Sequence, residues 1–271
     1  MLTIRQAMQK AQQRLLPSDD ARFDALCLAE HAFQLDKTGL LLQAGQVIDP
    51  TRYFNFVERR GAGEPLQYIL GEWEFYGLRF AVGPGVLVPR PETEMLVELA
   101  LNAQCAMRNA EFTVVDLCAG SGCVGLSIAH HRPDAQVHLI ELSDEAMPYL
   151  RKNAAKYPNA HIHQADIFNY ELRITNYEFI LANPPYIPTA ELPGLAREVR
   201  QEPSMALDGG ADGLDFYRGI ARHWLPRLRP GGVLAVECGE GQAPAIARLF
   251  GGSTEILRDF NGIERVVAAN A

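Results

Sequence analysis

The sequence contains no apolar run long enough to cross a bilayer. Its quietest stretch, residues 114–129, is broken by Asp116 and several glycines and falls short of the roughly 20 residues a membrane helix needs. The N-terminal MLTIRQAMQKAQQRLL carries charge throughout and lacks the apolar core of a signal peptide. Cysteine is scarce. The five, at 27, 105, 118, 123 and 238, are odd in number and include no CxxC pair, which excludes a disulfide framework and predicts free thiols in a reducing cytoplasm. Positive charge is also short: 25 Lys and Arg against 33 Asp and Glu leave a formal net charge of −8. That balance argues against a general nucleic-acid binder, which needs a basic face for phosphates. Internal repeats, low-complexity segments, GxSxG and Ser/His/Asp patterns are all missing. What remains is ordinary globular composition, 48% hydrophobic and 21% charged over 271 residues. That length suits one large domain, or a large one plus a small one, with room for a substantial core. A soluble, cytoplasmic protein is expected.

The first sixty residues read as helical. Ile4, Ala7, Met8, Ala11 and Leu15 recur at helical spacing until Pro17. Ser18 is expected to cap a second helix, with Asp19 and Asp20 in its first turn and Phe23, Leu26, Cys27 and Phe33 buried. Asp49-Pro50 marks another helix start, followed by Tyr53, Phe56, Val57 and Arg60. These helices end near Gly61-Ala62-Gly63. EWEFYGLRFAV then alternates around Gly77 as a β-hairpin and leads through Gly83-Pro84-Gly85 to Val88-Pro89-Arg90-Pro91-Glu92-Thr93-Glu94, with a helix starting near Thr93. Beyond it, strands are predicted at 112–117, 136–141, 160–164, 179–182, 232–237 and 264–268, and helices at 124–131, 144–156, 216–225 and 243–249. This alternation implies a parallel sheet covered on both faces, with ligands beyond the carboxyl ends of its strands.

Asp116-Leu117-Cys118-Ala119-Gly120-Ser121-Gly122-Cys123-Val124-Gly125 follows a strand and opens a helix, and Gly120, Gly122 and Gly125 match GxGxxG. Alone, the match is weak: a glycine-rich turn needs no ligand. Glu141 strengthens it, standing at the end of the next strand where a carboxylate can accept from ribose hydroxyls. Asp166, after the third strand, can accept from an adenine amino group with Ile167 against the ring, although it could equally cap a turn. A dinucleotide and S-adenosylmethionine both fit this series. Dinucleotide fingerprints place the glycines directly after the strand, whereas here Asp116 ends it and Cys118-Ala119 intervene. An acidic residue there suits the ammonium of a methionyl group, which favours the sulfonium cofactor.

The fourth strand ends in Asn183-Pro184-Pro185-Tyr186. Two prolines stiffen the chain and leave the Asn183 side chain and the Pro184 carbonyl free to accept, with an aromatic ring next to them. Such a site suits a planar NH2 group. An amide nitrogen is a poor nucleophile because its lone pair is delocalised. Holding both its hydrogens steers the lone pair toward an activated methyl, with no metal or strong base required. Asn-Pro-Pro can also be no more than a rigid turn; its place after Gly120, Glu141 and Asp166 makes that the weaker reading. The pairs His130-His131 and His161/His163 lack the cysteines or acids that would complete a metal site, and Cys118 and Cys123 read as small apolar packers. Glu237 is either a cleft residue or a solvated strand-end acid.

With these motifs in hand, the chain resembles the HemK/PrmC family of protein-(glutamine-N5) methyltransferases that modify peptide-chain release factors. The most specific pieces are Val88 through Glu94 and Asn183 through Tyr186; the tetrapeptide alone is shared with amino-methylating DNA enzymes. The resemblance implies a Rossmann-like class I methyltransferase domain, with a mostly parallel seven-stranded sheet and helices on both faces, over residues 91–271. A small all-helical substrate-recognition domain (1–70) and a β-hairpin linker (71–90) would precede it. Asp116, Cys118, Ala119, Gly120, Ser121 and Gly122 would line the methionyl part of S-adenosylmethionine, Glu141 would hold the ribose, Asp166 and Ile167 would face the adenine, and Asn183 would lie near the cofactor. Asn183, Pro184 and Tyr186 would be catalytic. With Pro185, Arg90 and Glu94 they would bind the substrate glutamine of the Gly-Gly-Gln motif in class 1 release factors. No metal, direct nucleic-acid contact or membrane contact is implied, and a monomer is expected. The chain departs from the family pattern at Cys118, usually glycine, at Glu141, often aspartate, and at Ile167, often aromatic. Two other readings are an N6-adenine DNA methyltransferase, which would need a flipped base and basic surface, and a non-catalytic cofactor-binding protein on the same fold.

Overall fold

The computed structural model describes residues 1–16, 20–103, 112–169 and 177–270. Pro17, Ser18, Asp19 and Cys105 therefore lie outside the described residues. The chain forms two compact units, one of residues 1–72 and 196–201, the other of residues 73–195 and 202–271. None of the described helices is long and apolar enough to cross a membrane.

In the smaller unit, β1 (Leu2–Thr3) leads into α1 (Ile4–Leu15), followed by α2 (Ala21–Phe33), α3 (Lys37–Leu42), β2 (Val47–Ile48), α4 (Thr51–Gly61) and α5 (Leu66–Leu70). Thr3 closes a capping box with Gln6: its hydroxyl accepts from the Gln6 N–H while its own N–H donates to the Gln6 side chain. Ile4, Ala7, Ala11 and Leu15 form the buried stripe of α1. The short strands β1 and β2, which pair antiparallel, and the helix α5 are not evident from periodicity. α2 also differs from expectation. Its polar residues, Arg22, Asp24, Glu30 and His31, are spread around the axis, so its spacing does not choose a face. Phe23 is half exposed, and Asp24 is buried instead, paired with Arg60 of α4 at 2.7 Å. Burial outweighs the pairing and leaves the Asp24 carboxyl above its ordinary value, so the pair is incompletely compensated. Arg60→Ala should cost about 3 kcal/mol at pH 8 by stranding that carboxylate, and less at pH 5, where Asp24 can take a proton. Denaturant titrations at the two pH values check this.

The larger unit opens with a hairpin, β3 (Glu72–Phe75) and β4 (Leu78–Ala81). Its two turn residues, Tyr76 and Gly77, both have positive φ, as the twist of a two-residue hairpin requires. A 3-10 turn at Pro91–Thr93 leads into α6 (Glu94–Ala103). β5 (Phe112–Leu117), α7 (Cys123–His131), β6 (Ala135–Glu141), α8 (Met147–Ala154), β7 (Ala160–Gln164) and β8 (Tyr177–Ala182) follow. The chain ends with α9 (Asp215–His223), β9 (Leu228–Glu237), α10 (Ala243–Phe250), β10 (Ser253–Arg258) and β11 (Glu264–Asn270).

Seven strands form one sheet in the order β10-β11-β9-β8-β5-β6-β7. The five from β9 to β7 are parallel, and β11 runs antiparallel to both its neighbours. Strands buried on both faces alternate between two cores. In β8, Phe179 and Leu181 enter the layer with Leu96 and Leu126, while Ile180 and Ala182 enter the layer with Tyr217 and Trp224. Chain order reverses between β5 and β8, whose ends meet at Leu117 and Ala182. An open parallel sheet binds its ligands at such a switch point.

Candidate active site

The site grows from the end of β5. Asp116 is the second-last residue of the strand and is buried, and its Oδ2 accepts from the Gly125 N–H at 2.8 Å. Strand end and first helical turn are thereby fastened together. Burial pushes the Asp116 carboxyl up to about 7. A Cβ on Gly125 would lie 2.4 Å from Leu139 Cδ2, so glycine alone lets α7 sit this close to the sheet. The intervening loop is left-handed at Cys118, Gly120 and Gly122. For Cys118 that conformation costs about 1–2 kcal/mol, which is the physical reason glycine suits this position.

The next two strand ends supply carboxylates. Glu141, last in β6, accepts from the Gly120 N–H and from the Ser143 N–H, both at 2.7 Å, one on each oxygen. It thus shapes the glycine loop from across the strand gap while retaining lone pairs for a ligand. Asp166, beyond β7, accepts from the Phe168 N–H at 2.9 Å and from the Asn169 side chain at 2.7 Å. The Ile167 carbonyl accepts from the Trp224 indole, which fixes the loop from the opposite core.

Asn183 follows β8, and its Nδ2 donates to Thr93 Oγ1 at 3.1 Å. The Thr93 hydroxyl donates onward to Glu237 Oε2 at 2.5 Å, and both of these side chains are buried. Burial lifts Glu237 to about 7. Gly209 and Gly213 press against the backbone of Tyr186: a Cβ on the first would lie 2.7 Å from Tyr186 Cα, and on the second 2.3 Å from its carbonyl oxygen. Gln242 donates to that carbonyl at 2.8 Å, and burial pushes the Tyr186 phenol well up. Arg90 pairs with the buried Glu202, whose other oxygen accepts from the Val88 N–H at 3.0 Å. Glu94 accepts from the Tyr76 N–H at 2.7 Å and so holds the hairpin turn.

One cleft joins many of these features. It is lined by Asp116, Cys118, Ala119, Gly120, Ser121, Glu141, Asp166, Ile167, Asn183 and Pro185. Gly122, Pro184, Tyr186, Arg90 and Glu94 lie outside that lining. Several lining residues carry no sequence signal: Val86, Leu87, Leu142, Phe216 and Met205 supply apolar wall from loops and from α9. Thr93 lines it as well, within the Pro-Arg-Pro-Glu-Thr-Glu segment that the sequence does single out. Among the described residues, no group of three or more His, Cys, Asp or Glu side chains is arranged to hold a metal ion.

Comparison with known proteins adds a family to this geometry. The model of the PrmC N-terminal domain matches residues 6–71, and that of the methyltransferase small domain matches residues 93–203. A release factor glutamine methyltransferase of Moorella thermoacetica is 39% identical over 99% of this chain and 98% of its own length. The chain belongs to the release factor glutamine methyltransferase family. A member from Geobacter sulfurreducens is 41% identical over 92% of this chain and 89% of its own. Among solved structures, the catalytic domain of hMettl16 in complex with an RNA hairpin superposes with a TM-score of 0.56 over 94% of this chain and 93% of that one, at 15% identity. That likeness attests the methyltransferase fold alone. The glycine loop and the Asn183 tetrapeptide both fall within the matched methyltransferase segment.

Proposed function

We propose that the protein transfers a methyl group from S-adenosylmethionine to the side-chain amide nitrogen of a glutamine in a release factor, the glutamine of Gly-Gly-Gln in class 1 factors. The observation that carries this reading is that Asp116, Ser121, Glu141 and Asp166 line the same cleft as Asn183 and Pro185.

The cofactor fits the residues present. Ser121 Oγ is buried with no hydrogen-bond partner among the described residues beyond the weakly polar Cys123 thiol, a donor in want of a carboxylate. Asp116, pushed up by burial, is a carboxyl in want of a cation. Gly120 faces open space, with Val86 Cγ2 3.8 Å from the position of a Cβ. When bound, the cofactor supplies a methyl made electrophilic by its positive sulfur. Asp116 would hold its ammonium, Ser121 its carboxylate, Glu141 its ribose and Asp166 its adenine amino group, with Ile167 and Leu142 against the purine. Asn183 Oδ1 and the Pro184 carbonyl would accept the two amide hydrogens of the glutamine, turning its nitrogen lone pair toward the methyl, with Tyr186 packing on the amide face. These groups orient and exclude water, and catalysis follows from position and fixed dipoles.

Labelled methyl should pass from S-adenosylmethionine to a purified release factor and not to its Gly-Gly-Gln version with glutamine replaced by alanine. Label on duplex DNA instead, or on nothing despite cofactor binding, overturns the reading. Cofactor affinity should also depend on pH. Below about 7 Asp116 must lose a proton to receive the ammonium, so Kd should rise about tenfold per unit as pH falls from 7 to 5. Asp116→Asn should flatten that dependence, as calorimetry would read. The stability of the ligand-free protein moves the other way. The folded value lies above the ordinary 3.8, so the folded chain keeps a proton the unfolded chain has lost, and stability falls as pH rises from about 4 to 7.

A further inference from the structure

An asparagine amide has two ends of nearly the same shape and opposite hydrogen-bonding sense. In the proposed reaction only one orientation works. Asn183 must offer its oxygen to the glutamine NH2; turned over, it would set donors against donors. Nothing in the Asn-Pro-Pro-Tyr backbone chooses between the two. The choice must come from whatever holds the other end of the amide.

That other end is held. Asn183 Nδ2 donates to Thr93 Oγ1 at 3.1 Å, and Thr93 Oγ1 donates to Glu237 Oε2 at 2.5 Å. We propose that Glu237 and Thr93 are positioning residues that set the direction of this chain of bonds and thereby fix Asn183 with its oxygen toward the substrate amide. The inference rests on the proposed methyl transfer for its catalytic consequence. Above about pH 7, where Glu237 is ionised, its carboxylate only accepts, so the single hydroxyl hydrogen of Thr93 is committed to Glu237. Thr93 can then meet Asn183 only with a lone pair, and Asn183 must answer with its NH2 group. Thr93 is 1% exposed and Glu237 3%, so solvent does not supply substitutes.

The three side chains come from separate elements: the Pro91–Thr93 turn, the end of β8 and the end of β9. Two of them are independently anchored. Pro91 stiffens the turn, and Glu237 is paired in the sheet with Val266 while its carbonyl accepts from the Tyr217 hydroxyl at 2.8 Å. A link that only joined the turn to the sheet would need Thr93 and Glu237 but would have no use for the amide of Asn183, the one of the three that meets substrate in the proposed reaction. Thr93 itself lines the cleft.

Two variants separate positioning from packing. Thr93→Val keeps the shape and removes the hydroxyl. Glu237→Gln keeps the shape and adds a donor, which frees the threonine hydroxyl to turn toward Asn183 Oδ1. Methyl transfer to the release factor is measured for both, and for Thr93→Ser, together with the nitrogen-15 spectrum of the Asn183 side-chain amide in the S-adenosylhomocysteine complex, assigned from Asn183→Asp. Thr93→Val should lower kcat about 100-fold, the scale of a misplaced reacting group, with KM for the cofactor within threefold. Glu237→Gln should lower kcat about tenfold, and Thr93→Ser, which keeps the hydroxyl, should retain most of the wild-type kcat. In the spectrum, the Asn183 amide should give one slowly exchanging pair of proton signals in the wild-type protein and in Thr93→Ser. In Thr93→Val that pair should lose its protection. A Thr93→Val enzyme with kcat within threefold of wild type, or an Asn183 amide signal unchanged by it, overturns the inference. If the wild-type protein labels no release factor, the proposed function fails, and the amide signals still decide whether Thr93 holds Asn183.

Discussion

Asn183→Ala should reduce turnover on a release factor by about 1,000-fold while S-adenosylmethionine still binds within about threefold of the wild-type Kd. The magnitude follows from what the side chain does. Removing one preorganised hydrogen-bonding group from a water-excluded site costs about 10²–10³ in kcat, and in the proposed reaction the same group also fixes the geometry of attack. Cofactor affinity is spared because Asp116, Ser121, Glu141 and Asp166 stand on β5, β6, β7 and the loops that follow them, and none of the hydrogen bonds described for these four runs to Asn183. Single-turnover methyl transfer beside equilibrium dialysis separates the two quantities. Turnover within tenfold of wild type would remove Asn183 from the reaction.

The second large effect belongs to Glu141. Glu141→Ala should weaken cofactor binding by at least about 100-fold, more than loss of one ribose acceptor would. Its oxygens satisfy the Gly120 N–H and the Ser143 N–H as well. Truncation leaves those part-buried donors without their partner, and an unsatisfied group costs up to about 1–3 kcal/mol when water cannot reach it. The glycine loop must then rearrange before it can receive a ligand. Glu141→Gln keeps an acceptor but turns an NH2 group on one of the two N–H donors, so it should lie between wild type and alanine. Calorimetric titration of S-adenosylhomocysteine into the three proteins tests the order; all three would bind alike if Glu141 were only a solvated acid.

The parallel part of the sheet was legible because buried strands advertise themselves. β5 and β7 coincide with the predicted 112–117 and 160–164, and β6, β8, β9 and β11 extend their predictions by one to four residues. β10, Ser253–Arg258, was invisible: it is an edge strand with exposed Ser253, Glu255 and Arg258 and no β-branched core run. On α2 the difficulty was of another kind. A helix whose polar residues, Arg22, Asp24, Glu30 and His31, are spread around its axis has no periodicity to reveal that Asp24, and not Phe23, faces inward, and the long-range partner Arg60 decides it. In the cleft, residues at strand ends could be nominated because parallel topology carries every carboxyl end to one edge. Val86, Leu142 and Phe216 could not, since an apolar wall residue looks like any other. Nor could the bond between Thr93 and Glu237: each is an ordinary residue, 144 positions apart, and only the folded chain makes them neighbours.

The helical unit is discontinuous, closing with residues 196–201 long after its main body ends at Glu72. In those residues Glu198 joins Arg60 at 2.7 Å and Arg197 donates to the Gly61 carbonyl at 3.2 Å. During synthesis, at about 5–20 residues per second, Ala196 leaves the peptidyl transferase centre about 6–25 s after Glu72. Until then Arg60 lacks Glu198 as a partner, and the unit can acquire its last contacts only after the chain through β8, including Asn183, has been made. The order of manufacture thus makes completion of the first unit contingent on the second.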